Sequence, residues 1–205
     1  MKKIIICNIP MKEKLTKCSY VTDDASLKIS KREVIYPINA FLSENLKKED
    51  EVKVLLLIKK DKAGNYQKNS AKFIEELLVA NEKAGAKIEH KFIETEFVEE
   101  QSVHEQLLGR IVDEIEDNSH VIADITYGPK ELPIILFSAL NFAEKFLGCE
   151  IDSIIYGQAS FVGDTPTDTK ICDMIPLYYL NSVTNTVRCE DSGKARKILK
   201  SLLTL

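Results

Sequence analysis

Short runs of Ile, Val and Leu recur along the chain at 3–8, 53–58, 87–93, 120–125 and 151–156. Each is a short run rich in Ile, Val or Leu, as expected for strands buried on both faces of a parallel sheet. Longer stretches with helical periodicity separate them, at about 37–46, 70–84, 103–116 and 130–147. In the second of these, Phe73, Leu77, Leu78 and Asn81 keep helical spacing and Gly85 supplies the stop. Alternating β and α elements predict an α/β fold, a Rossmann-like, doubly wound and mostly parallel sheet.

Three stretches break this rhythm. Residues 11–36 are polar, with Tyr20, Val21, Ile29, Val34, Ile35 and Tyr36 scattered as in a small hairpin. They read as an insertion placed over the carboxyl edge of the sheet. Residues 157–170 read as a turn-rich loop after the fifth strand. Beyond them, 171–181 reads as a strand or hairpin arm leading into a short helix. An amphipathic last helix is expected at 192–205, with Ala195, Ile198, Leu199 and Leu202 on one face. The whole of 1–205 is then one domain, with 183–205 as a C-terminal helical extension.

The helix at 130–147 is apolar nearly all round, with Leu132, Ile134, Phe137, Leu140, Phe142 and Phe146 spread over its circumference. Such a helix must be buried on more than one side. In a domain this small a second subunit is expected to cover one of them, which predicts a homodimer through or near this helix.

Charge narrows the partners. The net charge is −4, whereas binders of long nucleic acid carry a basic excess. Lys2, Lys3, Lys12, Lys14 and Lys17 gather around the first strand and the loop after it, against the single acid Glu13. Such a patch suits a small polyanion. The five cysteines are odd in number and contain no C-x-x-C pair, which argues against a disulfide framework and a zinc knuckle. His90, His104 and His120 show no metal spacing, so neither a metal nor a cofactor is expected. His120 reads as a structural residue opening a strand and His104 as a solvated residue on a polar helix. No apolar run reaches the length of a membrane span. The opening run through Cys7 is too short for a signal peptide. A cytoplasmic location with no membrane partner is therefore expected. Asp50, Glu51 and Lys53 match part of a metal-nuclease signature, but they read as a strand starting after a charged turn.

Familiar nucleotide motifs are missing. There is no G-x-G-x-x-G after the first strand, no G-x-x-x-x-G-K-[ST] and no G-x-S-x-G, which argues against a standard NAD site, a P-loop and a nucleophile elbow. The chemistry concentrates instead at 119–133, where a strand runs into the polar turn Thr126, Tyr127, Gly128, Pro129, Lys130 and then into the apolar helix. Pro129 fits the first position of that helix, and Gly128 permits a sharp turn and close approach of a ligand. A helix start with unpaired N–H groups favours an anion, and Lys130 adds a full positive charge. Open α/β sheets bind ligands beyond the carboxyl ends of their strands, where the strand order reverses. The loops expected there bring Asn8, Ile9, Pro10 and Met11, then Thr126 to Lys130, then Gln158, Ala159 and Ser160.

The run from Asp124 to Pro133 reads D-I-T-Y-G-P-K-E-L-P and resembles the D-x-T-x-G-x-[RK]-x-x-P signature of CRISPR-associated Rossmann-fold (CARF) domains. The later I-I-Y-G ending at Gly157 and I-P-L-Y-Y-L-N ending at Asn181 also resemble segments of that family. The resemblance implies a sensor of cyclic oligoadenylate, a ring of four or six adenylates, in type III CRISPR antiviral defence. It implies that the ring is held on the two-fold axis of a homodimer. Thr126, Gly128 and Lys130 would line the ring. Asn8 to Met11 would face it from the first loop, and Gln158 to Ser160 would reach the adenines. Most relatives carry a C-terminal effector domain, whereas only a short helix follows here, and Arg110 opens no R-x-x-x-x-H ribonuclease motif. An effector domain or a partner protein would then receive the signal.

Two other functions stay open at this point. Some members of the family cleave the ring without metal, giving a 2′,3′-cyclic phosphate. In such a ring nuclease Lys130 would stabilise the phosphorane charge, and Thr126 or Asn8 would orient the attacking hydroxyl. Alternatively, the chain is a nucleotide-using Rossmann enzyme unrelated to CRISPR.

Overall fold

The computed structural model describes residues 1–203 apart from Phe97, Glu99, Asp164 and Val187. Thr204 and Leu205, which the sequence assigns to the last helix, and Asp164, in the expected loop after the fifth strand, lie outside the described residues. Six strands form one sheet: β1 (Lys2–Asn8), β2 (Glu51–Ile58), β3 (Lys87–Glu94), β4 (His120–Asp124), β5 (Glu150–Val162) and β6 (Thr165–Asp173). Their order is β3-β2-β1-β4-β5-β6. All neighbours are parallel except β5 and β6. The chain winds outward from β1 on one side and then outward from β4 on the other. The reversal point therefore lies between β1 and β4, whose register sets Cys7 opposite Asp124.

Helices α1 (Pro37–Asn45) and α2 (Asn65–Asn81) cover one face of the sheet; α3 (Gln101–Glu114) and α4 (Leu132–Phe146) cover the other. The central strands feed both cores. Ile5, Cys7, Val54 and Leu56 point to the α1–α2 side, and Ile4, Ile6, Leu55 and Leu57 point to the α3–α4 side. This two-sided burial is why these strands are apolar throughout. The fold is Rossmann-like, as the pattern of the chain predicts. Helix α5 (Ile175–Thr186) packs on the α4 side through the buried Tyr178, whereas α6 (Ser192–Leu202) buries none of its residues.

Four expectations need correction. The stretch 157–170 is not a loop: β5 runs on past the end of β4 and pairs with β6 as a two-stranded ribbon. It reads as a loop because its outer part is solvent-exposed and so carries polar side chains. Helix α4 starts at Leu132 rather than 130, so Pro133 occupies its opening and Pro129 lies in the preceding turn. Within 11–36 the hairpin shrinks to one antiparallel bridge between Cys18 and Val34. That segment contributes Tyr20, Leu27, Val34 and Ile35 to the α1-side core and is tied to β6 by a bridge between Val21 and Lys170. Finally, the lysine patch is divided. Lys2 and Lys3 stand at the amino end of β1, where they pair with Glu116 and Asp50. Lys12, Lys14 and Lys17 follow its carboxyl end, roughly 20 Å away along the strand.

The Lys3–Asp50 pair is buried at 2.7 Å, and Asp50 also accepts the Lys47 N–H. Lys53 pairs with Glu114. Asp50 and Lys53, which imitate a nuclease signature, are thus held in ion pairs at separate points. Among the described residues no helix is long and apolar enough to cross a membrane.

Candidate functional site

The reversal point brings together the first strand's last residue and the turn after β4. Asn8 ends β1 with only 3% of its surface exposed. Gly128 sits directly against it: a Cβ built on Gly128 would lie 3.3 Å from Asn8 Nδ2 and 2.6 Å from a Leu132 methyl. Gly128 has φ +127°, a backbone conformation that side-chain-bearing residues rarely adopt. Glycine is thus required twice over, by conformation and by space.

Asp124 anchors this crook from below. Its carboxylate is buried and accepts the Thr126 N–H at 2.7 Å. The Thr126 hydroxyl and the Ile38 N–H, in the first turn of α1, also favour its charged form. Burial pushes the Asp124 carboxyl up to about 6, while these donors pull the other way. The Cys7 thiol faces it at 3.8 Å and is itself pushed upward, first by burial and then by the Asp124 charge. Two N–H groups just before α1, on Ile35 and Tyr36, donate to Glu76. The start of α1 is therefore filled by two of the protein's own carboxylates, in the place where a dinucleotide-binding fold would hold a phosphate.

The start of α4 is different. The N–H groups of Tyr127, Gly128, Lys130 and Glu131 reach no protein acceptor among the described residues. Lys130 is exposed and forms no ion pair among them. Glu131 stands at the N-cap position, and its side chain caps nothing. The Asn8 amide oxygen is buried and has no hydrogen-bond partner. Buried polar atoms of this kind are rare and costly. Among the described residues the crook thus offers unpaired backbone donors and an unpaired cation, with an unsatisfied amide buried beneath them.

Not every expected site residue turns toward it. Ile9 is fully buried in the α1-side core and donates its N–H to Leu57. Pro10 is buried, and its carbonyl accepts from Asn69. Met11 is 41% exposed. The Thr126 hydroxyl oxygen accepts the Gly157 N–H at 2.8 Å, fastening β4 to β5. The Tyr127 hydroxyl bonds to the Ile35 carbonyl, and its ring meets that of Tyr36 edge to face. Gln158, Ala159 and Ser160 lie on β5 opposite Lys170, Thr169 and Asp168. Gln158 and Ser160 are exposed, whereas Ala159 leans on the core. Sequence reasoning missed Asp124, Gly157 and Glu76 as the groups that build the crook. A Cβ on Gly157 would fall 2.1 Å from the Pro37 ring. Asp124 was legible in principle, as a lone acid ending an apolar strand. His104, expected in solvent, has a buried Nε2 without a partner.

Helix α4 carries exposed apolar residues from its first turn to its last: Ile134 is 70% exposed, Phe142 40% and Phe146 71%. The larger hollows of the protomer lie elsewhere. One of about 530 Å³ is lined by Ile58, Tyr66, Gln67 and Phe92, and one of about 350 Å³ lies between α5 and α6. No protein-family model matches the chain, and no curated protein is similar to it in sequence.

Proposed function

We propose that this protein is a cyclic oligoadenylate sensor of type III CRISPR defence, with the ring held across the two-fold axis of a homodimer. The observation that carries this reading is the set of unpaired backbone donors at Tyr127, Gly128, Lys130 and Glu131, beside the uncompensated ammonium of Lys130. Such a cradle suits a phosphodiester. Two copies related by a dyad present two cradles, which matches a ligand that repeats its phosphates symmetrically. The Asn8 amide lies buried beneath the crook with its nitrogen toward Gly128, so its oxygen would meet the ring only once the crook shifts. Ile134, in the first turn of α4, and Phe142 and Phe146, toward its far end, supply exposed apolar surface along the helix for the partner copy. Gln158 and Ser160, on the neighbouring strand, are the groups for the adenine edges.

Titration of the protein with rings of three, four and six adenylates tests the proposal. One ring should stabilise the dimer by RT ln(1 + [L]/Kd), roughly 2.7 kcal/mol at a hundredfold excess over Kd. Chromatography of the same mixtures after long incubation separates the sensor, which leaves the ring intact, from a ring nuclease, which yields linear product. Stabilisation by a mononucleotide or dinucleotide with no response to any ring would replace the proposal with a metabolic Rossmann enzyme.

A further inference from the structure

The amino edge of the sheet, remote from the crook, carries a second cluster. His120 opens β4, and Glu150 is its register partner at the start of β5. The ladder pairs Val121 with Ile151 and then Ile122 with Ser153, so Asp152 is an extra residue on β5. A bulge of this kind re-aims a side chain. Here Glu150 and Asp152 both converge on the imidazole: Asp152 Oδ1 lies 2.8 Å from His120 Nδ1, and Glu150 Oε2 lies 3.8 Å from the same nitrogen. One donor atom from each of the three falls within 4.8 Å of the other two. The side chains of His120 and Asp152 are 23% and 31% exposed, and that of Glu150 is 78% exposed. Two ligands are thus held in place and a third is free to swing in.

We infer that His120, Glu150 and Asp152 form a binding site for a borderline divalent cation, with Zn²⁺ the ion that the donor set fits best. Imidazole nitrogen and carboxylate oxygen are both zinc ligands. Ca²⁺ and Mg²⁺ favour oxygen ligands throughout. Ligand bonds of about 2.0–2.2 Å in a tetrahedron set the donors roughly 3.3 Å apart. The 2.8 and 3.8 Å separations here bracket that spacing. Charge points the same way. Among the described residues no lysine or arginine pairs with Glu150 or Asp152. Three protein ligands leave one coordination position for water. The site pins the first residue of β4 to the start of β5, and it stands independently of the proposed function.

Calorimetric titration of chelator-treated protein with ZnCl₂ tests it. The full chain with Cys172→Ser and Cys189→Ser should be used, because these two exposed thiols are competing zinc ligands. One Zn²⁺ per chain is expected, with Mg²⁺ giving no heat. Co²⁺ should give visible d–d bands without a thiolate charge-transfer band. Glu150→Gln, at an exposed position that folding does not depend on, should weaken Zn²⁺ at least tenfold, and His120→Ala should abolish the site. Zinc binding that survives both substitutions, or no binding in the parent, would overturn the inference and leave a plain carboxylate–histidine contact.

Discussion

The junction between β1 and α1 and the junction between β4 and α4 lie side by side at the same edge of the sheet, yet they treat charge in opposite ways. At the first, backbone donors are claimed from inside: Ile35 and Tyr36 give their N–H groups to Glu76, and the Ile38 N–H favours the charged form of Asp124. At the second, donors of Tyr127, Gly128, Lys130 and Glu131 stay open and a lysine stands beside them. A helix start attracts an anion whichever way it is supplied. The protein supplies its own at α1, whereas at α4 the donors stay open. This explains how a Rossmann-like sheet dispenses with a glycine-rich loop after its first strand. The phosphate position at α1 is already taken.

The harshest way to break the comparison is to disturb the seam between the two junctions. Gly157 lets the Pro37 ring of α1 approach β5 and gives its N–H to Thr126 of the crook. In Gly157→Ala the new methyl would fall 2.1 Å from Pro37 Cγ, a ring atom tied to the backbone. We expect a loss of about 3 kcal/mol or more, the upper range for overpacking a tight site. Chemical denaturation measures it. A midpoint equal to that of the parent would show that α1 and β5 can separate freely.

A milder intervention titrates the internal anion. Asp124 holds its proton up to about 6 in the folded protein, against an ordinary 3.8. A raised folded pKa means that the contribution of Asp124 is fully present below 3.8, declines between the two values and is lost above 6. The difference corresponds to roughly 3 kcal/mol by linkage. Asp124→Asn removes this dependence. Urea unfolding of both proteins at pH 4 and pH 7.5 should therefore show the parent losing stability relative to the variant as the pH rises. Other titrating groups, such as Glu114 and Glu116, cancel in the difference. A pH-independent difference would mean that the carboxylate is not held as a buried ion at the start of α1.

Much of this arrangement can be read in the chain, and the parts that cannot share a cause. Strands β1, β2 and β4 announce themselves because both of their faces are buried, so their apolar runs are continuous. The β5–β6 ribbon escapes because its outer half, Gln158 to Val162 against Thr165 to Lys170, is solvated, and solvated strands carry the residues of loops. The crook is legible through Gly128, Lys130 and the proline-bounded helix start, since local chemistry fixes it. Asp124, Glu76 and Gly157 act across the fold on residues from 31 to 120 positions away. No local pattern carries that information. The same holds for His120 and Asp152, whose meeting depends on a register shift between two strands. The lysine patch fails for a simpler reason: a strand separates residues that are close in sequence.

The finest distinction between the junctions is made by one exposed side chain. Lys130 touches no carboxylate among the described residues and is no part of either core. Lys130→Ala should therefore leave the unfolding midpoint where it is. If the open donors beside it hold the phosphates of a cyclic oligoadenylate, the variant should bind the ring about tenfold more weakly, or roughly 1.5 kcal/mol, the lower range for a charge-assisted contact. Lys130→Arg should recover most of that loss, because the charge is kept and the donors remain. Matching variants at Lys12 and Lys17, which follow β1, provide the contrast. An equal loss there would make attraction diffuse and the two junctions equivalent. A loss confined to Lys130 would place the anion at α4, where the protein's own carboxylates leave the backbone donors open.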